Sequence, residues 1–232
     1  MATKNNVENV ELEETLGSAM TKTEQFFEEN GRKIVYTIFG LLVIAACVFG
    51  YKLVVAEPRM AKSTDMISNA QTLFDQATPD YNAALNGDAN GAGFLDVIEA
   101  YGSTPAGNIA NHYAGVCYMK LGDFANAAKF LSQYKAVEGA PATIINAQNL
   151  GLQGDIAVEN GDYKSAMALY AKAVTASQKN ILTAPIYLRK GGLAAEAAGD
   201  KAAAKALFET IATDYPSSVE ARDAEKYIGT LE

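Results

Sequence analysis

GVCYMKLGDFANAAKFL, running from Gly115 to Leu131, is answered by GDIAVENGDYKSAMALY from Gly154 to Tyr170 and by GLAAEAAGDKAAAKALF from Gly192 to Phe208. Aligned without gaps, the three stretches share an opening glycine, a central Gly-Asp pair, an alanine four residues after that Asp, and a bulky residue at the close. Self-similarity at a nearly fixed period, here ~38–39 residues, marks a chain assembled from stacked supersecondary units. Each unit predicts a helix, a tight turn and a second helix returning antiparallel to the first.

The shared positions have physical reasons. Gly115, Gly154 and Gly192, with Ala127, Ala166 and Ala204, lack bulk where two antiparallel helices must approach closely. Phe124, Tyr163, Tyr170 and Phe208 are suited to filling the gaps between layers. Each Gly-Asp pair (Gly122-Asp123, Gly161-Asp162, Gly199-Asp200) supplies a permissive turn residue and a cap for the helix that follows.

These positions, with Tyr118, Ala157, Ala195 and a closing Pro216, resemble the tetratricopeptide repeat pattern over roughly residues 103–227. The resemblance implies an all-α fold, an α-solenoid of antiparallel helix pairs. The period exceeds the ~34 residues usual for that repeat, so longer connections between units are expected. Lys201 stands where the family places its second aromatic residue. Tyr101-Gly102-Ser103-Thr104 is echoed by Tyr215-Pro216-Ser217-Ser218, and Ala221 to Leu231 is predicted as a capping helix.

The rest of the chain divides into four parts: residues 1–33 an acidic tail, 34–56 a membrane span, 57–102 a linker helix with a degenerate first repeat, and 103–232 the repeats with their cap. Ile34 to Ala56 holds 13 Leu, Ile, Phe or Val residues and one charge, Lys52, near its end. At ~1.5 Å per residue such a run crosses a ~30 Å hydrocarbon core. A cleaved signal peptide fits poorly, because the apolar run is too long and follows an acidic leader. Ile44-Ala45-Ala46-Cys47 also resembles a lipobox, which would leave Cys47 acylated, although the chain stays apolar through Val55. Lys22, Arg32 and Lys33 on one flank nearly balance Lys52, Arg59 and Lys62 on the other, so charge alone does not orient the span.

Before the span, Leu12, Leu16, Ala19, Met20, Thr23, Phe26 and Phe27 recur at helical spacing opposite Glu13, Glu14, Glu24 and Glu28. They predict a short amphipathic helix ended by Asn30 and Gly31. After the span, Met60 to Gln76 and Gly93 to Tyr101 predict a helix pair around a Gly- and Asn-rich loop. Asn86, Asp88, Asn90 and Gly91 imitate the front of a calcium loop, but Val97 occupies the place of its bidentate glutamate.

Chemistry is hard to find in the sequence. A net charge of −8, from 19 Lys and Arg against 27 Asp and Glu, argues against nucleic acid. The single histidine, His112, has no partner at metal-ligand spacing, and Cys47 and Cys117 fall on opposite sides of the apolar boundary, which leaves no disulfide framework. No phosphate-binding Gly-Lys loop or nucleophile elbow occurs. The prediction is a non-enzymatic chain without metal or cofactor.

What remains is a surface for protein. Solenoids of this type bind through a groove lined by the first helix of each pair, and the register assigns to it Ile109, His112, Val116, Met119, Val158, Ile186, Arg189 and Leu193. Several of these could equally pack between layers. The family's Lys/Asn carboxylate clamp is not expected, because Val116 and Leu152 replace its asparagines and only Lys190 matches.

The whole layout is similar to the ancillary subunits of the bacterial Sec translocon (the YfgM-type family). That resemblance implies a single-pass inner-membrane protein with a periplasmic solenoid. It also implies as partners translocon subunits, a membrane-anchored peptidyl-prolyl isomerase chaperone and exported client proteins. An envelope-assembly or cell-division scaffold, lipoprotein-like if Cys47 is acylated, and a cytoplasmic docking platform fit the same layout.

Overall fold

The computed structural model describes the backbone of residues 2–231, and the side chains of these except 2–23, 25, 140 and 141. Two units divide at Pro58. The first holds α1 (Ala2–Tyr51), followed by a π-helical turn, Lys52–Ala56. The apolar stretch within it is long and apolar enough to cross a membrane, and none of that stretch is buried in the fold.

The expected stop at Asn30 and Gly31 is not there. Asn30 Nδ2 donates 3.1 Å to Phe26 O, a bond that lies along the helix instead of ending it. A side chain at Gly31 would meet nothing within 4 Å, so no packing constraint breaks the helix there either. Phe26 and Phe27 are exposed; most of the predicted amphipathic face lies outside the described side chains.

The second unit is helical, with no strand among the described residues: α2 (Glu57–Phe74, whose first two residues precede the division), α3 (Tyr81–Asn86), α4 (Phe94–Tyr101), α5 (Pro105–Lys120), α6 (Phe124–Gln133), α7 (Ala140–Glu159), α8 (Tyr163–Ala176), α9 (Ala184–Ala197), α10 (Lys201–Asp214) and α11 (Val219–Thr230). The pairs α5/α6, α7/α8 and α9/α10 are the three predicted units, and α11 is the capping helix. The loop expected between α2 and α4 contains one more helix, α3, which Asp80 caps by accepting from Ala83 N. Near Gly91 the Asp88 carboxylate accepts from the backbone N–H groups of Asn90 and Gly91 and from the side chains of Asn90 and Asn69. Those bonds close a local turn and hold this carboxylate below its usual range, the Asn90 backbone bond first.

Within each pair the turn is built alike. Gly122, Gly161 and Gly199 adopt φ values of 81, 73 and 81 degrees. That left-handed region is open to glycine at no steric cost. The Asp that follows each glycine accepts from the N–H three residues on, capping the second helix. Between pairs the connections are longer, residues 134–139 and 177–183, and with the 20-residue α7 they lengthen the period. The small residues do what their positions require. A Cβ at Gly115 would lie 2.5 Å from Leu131 Cγ, at Gly154 2.6 Å from Tyr170 Cε1, and at Gly192 2.7 Å from Phe208 Cζ. The final bulky residue of each repeat is therefore seated against the first glycine of the same repeat. Four apolar clusters succeed one another along the unit, around Phe94, Leu131, Tyr170 and Phe208.

Candidate protein-binding surface

The first helices α5, α7 and α9 carry the eight predicted groove residues, and the structure separates them. His112 and Val116 are buried. Asn149 Nδ2 on α7 lies 3.2 Å from His112 Nδ1, and the Tyr134 ring packs 5.7 Å from the imidazole. With Nδ1 accepting, the neutral ring carries its proton on Nε2. Burial pushes His112 down to about 4, against a smaller upward pull from Gln148. Inter-repeat packing has thus taken His112 out of the groove. Ile109 and Met119 are half-buried against the first two apolar clusters.

On the last two repeats the predicted residues stay partly accessible. Val158 and Leu193 line one pocket of about 170 Å³ with Tyr163, Tyr170, Lys190 and Ala194. Ile186 and Arg189 are half-exposed on α9, and Arg189 has no ion-pair partner among the described residues.

Beside that pocket sits a polar network not anticipated from sequence. Lys190 Nζ donates to both oxygens of Asp155, at 2.8 and 2.7 Å, and Tyr170 OH donates to Asp155 Oδ1 at 2.7 Å. The three side chains come from α7, α8 and α9, so the network ties two repeats together. Burial raises Tyr170 well above the usual phenol range, and its bond to Asp155 adds to the effect. Lys190, the single match to a carboxylate clamp, is thereby committed to an internal acceptor. A signal was present: Asp155 aligns with Val116 and Leu193, so one repeat carries a carboxylate where the other two are apolar. Gly151 was overlooked too. It gives room to Tyr187, whose ring would collide with an added Cβ through its Cε1.

The second helices form clefts of their own. Met167, Ala171, Gly191 and Leu207 help line an apolar cleft of about 360 Å³ where α8, α9 and α10 meet. The equivalent positions one repeat earlier, Ala128, Ser132, Gln153 and Leu169, line a cleft of about 330 Å³. Asn160 and Asp162 make the earlier cleft more polar.

Sequence models of the Tetratricopeptide repeat family match in three places: one model at residues 110–137 and 187–218, another at 147–180. The chain carries tetratricopeptide repeats. The match at 147–180 begins inside α7, as the matches at 110–137 and 187–218 begin inside α5 and α9. No curated protein matches the chain. Tetratricopeptide repeats are protein-interaction modules, which accords with a surface of half-exposed aliphatics.

Proposed function

We propose that this protein is a membrane-anchored, non-enzymatic adaptor whose repeats hold an extended segment of another protein. Three repeat matches carry the reading, together with accessible aliphatics at Val158, Ile186 and Leu193 on two successive first helices. Such a surface supplies apolar contact with little polar readout, which suits transient binding of varied segments. Arg189 adds a cation beside the aliphatics.

The long apolar stretch of α1 supplies the anchor in this reading. By layout, the proposed setting is the bacterial Sec translocon, with the repeats in the periplasm beside a membrane-anchored peptidyl-prolyl isomerase chaperone, assisting exported proteins. Photocrosslinkers at Met119 and Leu193 of the full chain test this in cells. Adducts with exported proteins or a translocon subunit are expected. Adducts with neither would end the translocon assignment, and digestion of residues 59–232 by protease only after inner-membrane lysis would end the periplasmic one.

A further inference from the structure

Among the described side chains, only three of the Lys and Arg are partly buried, Arg189, Lys190 and Lys205; the rest are exposed. Lys190 donates to both oxygens of Asp155, and Lys205 is engaged as well. Asp155 is filled in turn, since its Oδ1 also accepts from Tyr170 OH. Arg189 alone of the three has no hydrogen bond, ion pair or aromatic partner among the described residues. A guanidinium that has given up part of its hydration with its N–H donors unassigned gains nothing from the fold in return.

We infer that Arg189 receives a carboxylate side chain of the bound segment, so that the groove of the last two repeats selects extended segments with an Asp or Glu two residues from an aliphatic. The inference rests on the groove proposed above and names the class of segment that it prefers. Arg189 and Leu193 are four residues apart on α9, which puts them on one face and ~6 Å apart along the axis. Ile186 shares that face, ~4.5 Å to the other side of Arg189. In an extended chain, alternate side chains point the same way at intervals of ~6.6 Å. An aliphatic, a carboxylate and a second aliphatic at alternate positions therefore meet Leu193, Arg189 and Ile186 in order. The first of them enters the pocket of about 170 Å³ that Leu193 lines with Val158, Tyr163 and Tyr170.

Charge decides what stands in the middle. Lys190 and Asp155 cancel, so the positive charge of Arg189 is left uncompensated, and its planar fork matches a carboxylate through two parallel bonds. Glu159 and Glu196, both exposed, follow Val158 and Leu193 along their helices and repel a carboxylate placed beyond the pocket. The acidic residue is thereby directed to Arg189. The earlier repeats offer no second reader at this register. His112 is buried beside Asn149, and the second repeat has Gly151, against which the Tyr187 ring lies.

The test uses the full chain in surface-held phosphatidylcholine nanodiscs, with empty discs subtracted. Three acetylated and amidated peptides, Leu-Ser-Glu-Ser-Leu and its counterparts with Gln or Lys in the middle, are flowed to millimolar concentration, and surface plasmon resonance reads the binding. Blocked termini leave the central side chain as the one charge that varies. The Glu peptide is expected to bind about tenfold tighter than the Gln peptide, and the Lys peptide weakest. Arg189→Gln should bind all three alike, Arg189→Glu should prefer the Lys peptide, and Lys172→Gln, an exposed cation on α8, should keep the original order. Equal binding of the three peptides to the unaltered chain would overturn the carboxylate preference and leave the apolar groove standing. A preference for Glu that survives in Arg189→Gln would overturn the assignment to Arg189. Binding of none of the peptides would overturn both the preference and the groove.

Discussion

Gly191 and Gly192 are adjacent, both buried and both helical, yet alanine is expected to act on them in opposite directions. Alanine gains ~1 kcal/mol over glycine in a helix interior. At Gly191 the new methyl meets only Leu207 Cδ1 at 3.5 Å and Tyr170 Cβ at 3.8 Å, which are ordinary contacts, so most of that gain survives. At Gly192 it meets three atoms of the Phe208 ring, the nearest at 2.7 Å. Phe208 is fully buried and stacked on Tyr227 with centroids 4.7 Å apart, so it has nowhere to retreat. Overpacking of this kind costs ~1–3 kcal/mol, which after the helix gain leaves a net loss of ~1 kcal/mol. The two neighbours should therefore differ by roughly 2 kcal/mol, or about 4–8 °C in Tm for a unit of this size. Thermal unfolding of the full chain in detergent, followed by tyrosine fluorescence, reads the difference. Pairing Gly192→Ala with Phe208→Leu should restore part of the loss. Equal shifts in the same direction for both alanine variants would refute the argument.

Acid should weaken the protein through His112. Its folded-state value of about 4 lies below the ordinary range, so the unfolded chain takes up the proton first. Stability is then full above pH ~6.5 and falls by ~3 kcal/mol as pH drops towards ~4. Urea unfolding across that range should show the fall, with a shallower slope in His112→Leu. Asp155→Ala removes the acceptor that Lys190 and Tyr170 share, while Lys190 stays partly hydrated. The loss should be ~1–2 kcal/mol by chemical denaturation. A double-mutant cycle with Tyr170→Phe should show coupling. Asp123→Ala, Asp162→Ala and Asp200→Ala each remove a helix cap. Each should lower stability by ~1 kcal/mol, readable as a shifted urea midpoint.

The helix pairs were legible because their determinants are local. Gly122, Gly161 and Gly199 mark turns wherever they occur, and Gly154 against Tyr170 is set by a fixed spacing within one repeat. Residues governed by the neighbouring repeat were less so. His112 shares a register position with half-exposed Arg189, yet Asn149 and Tyr134 bury it, and neither is visible from the periodicity of α5. Asn30 and Gly31 misled for a related reason. They end helices when a turn follows, whereas here the downstream apolar run favours continuing one. The Asp155, Lys190 and Tyr170 network joins three helices, and only a misfit among aligned repeats hinted at it.

The four apolar clusters have a further consequence for how the molecule comes apart. Each cluster is shared only by neighbouring helices, so the unit resembles a stack held by successive interfaces more than a single kernel. Opening the last interface, between α10 and α11, need not disturb the packing around Phe94. Amide deuteration should accordingly be graded from the C-terminal end inwards, and a force applied along the stack should release it in steps.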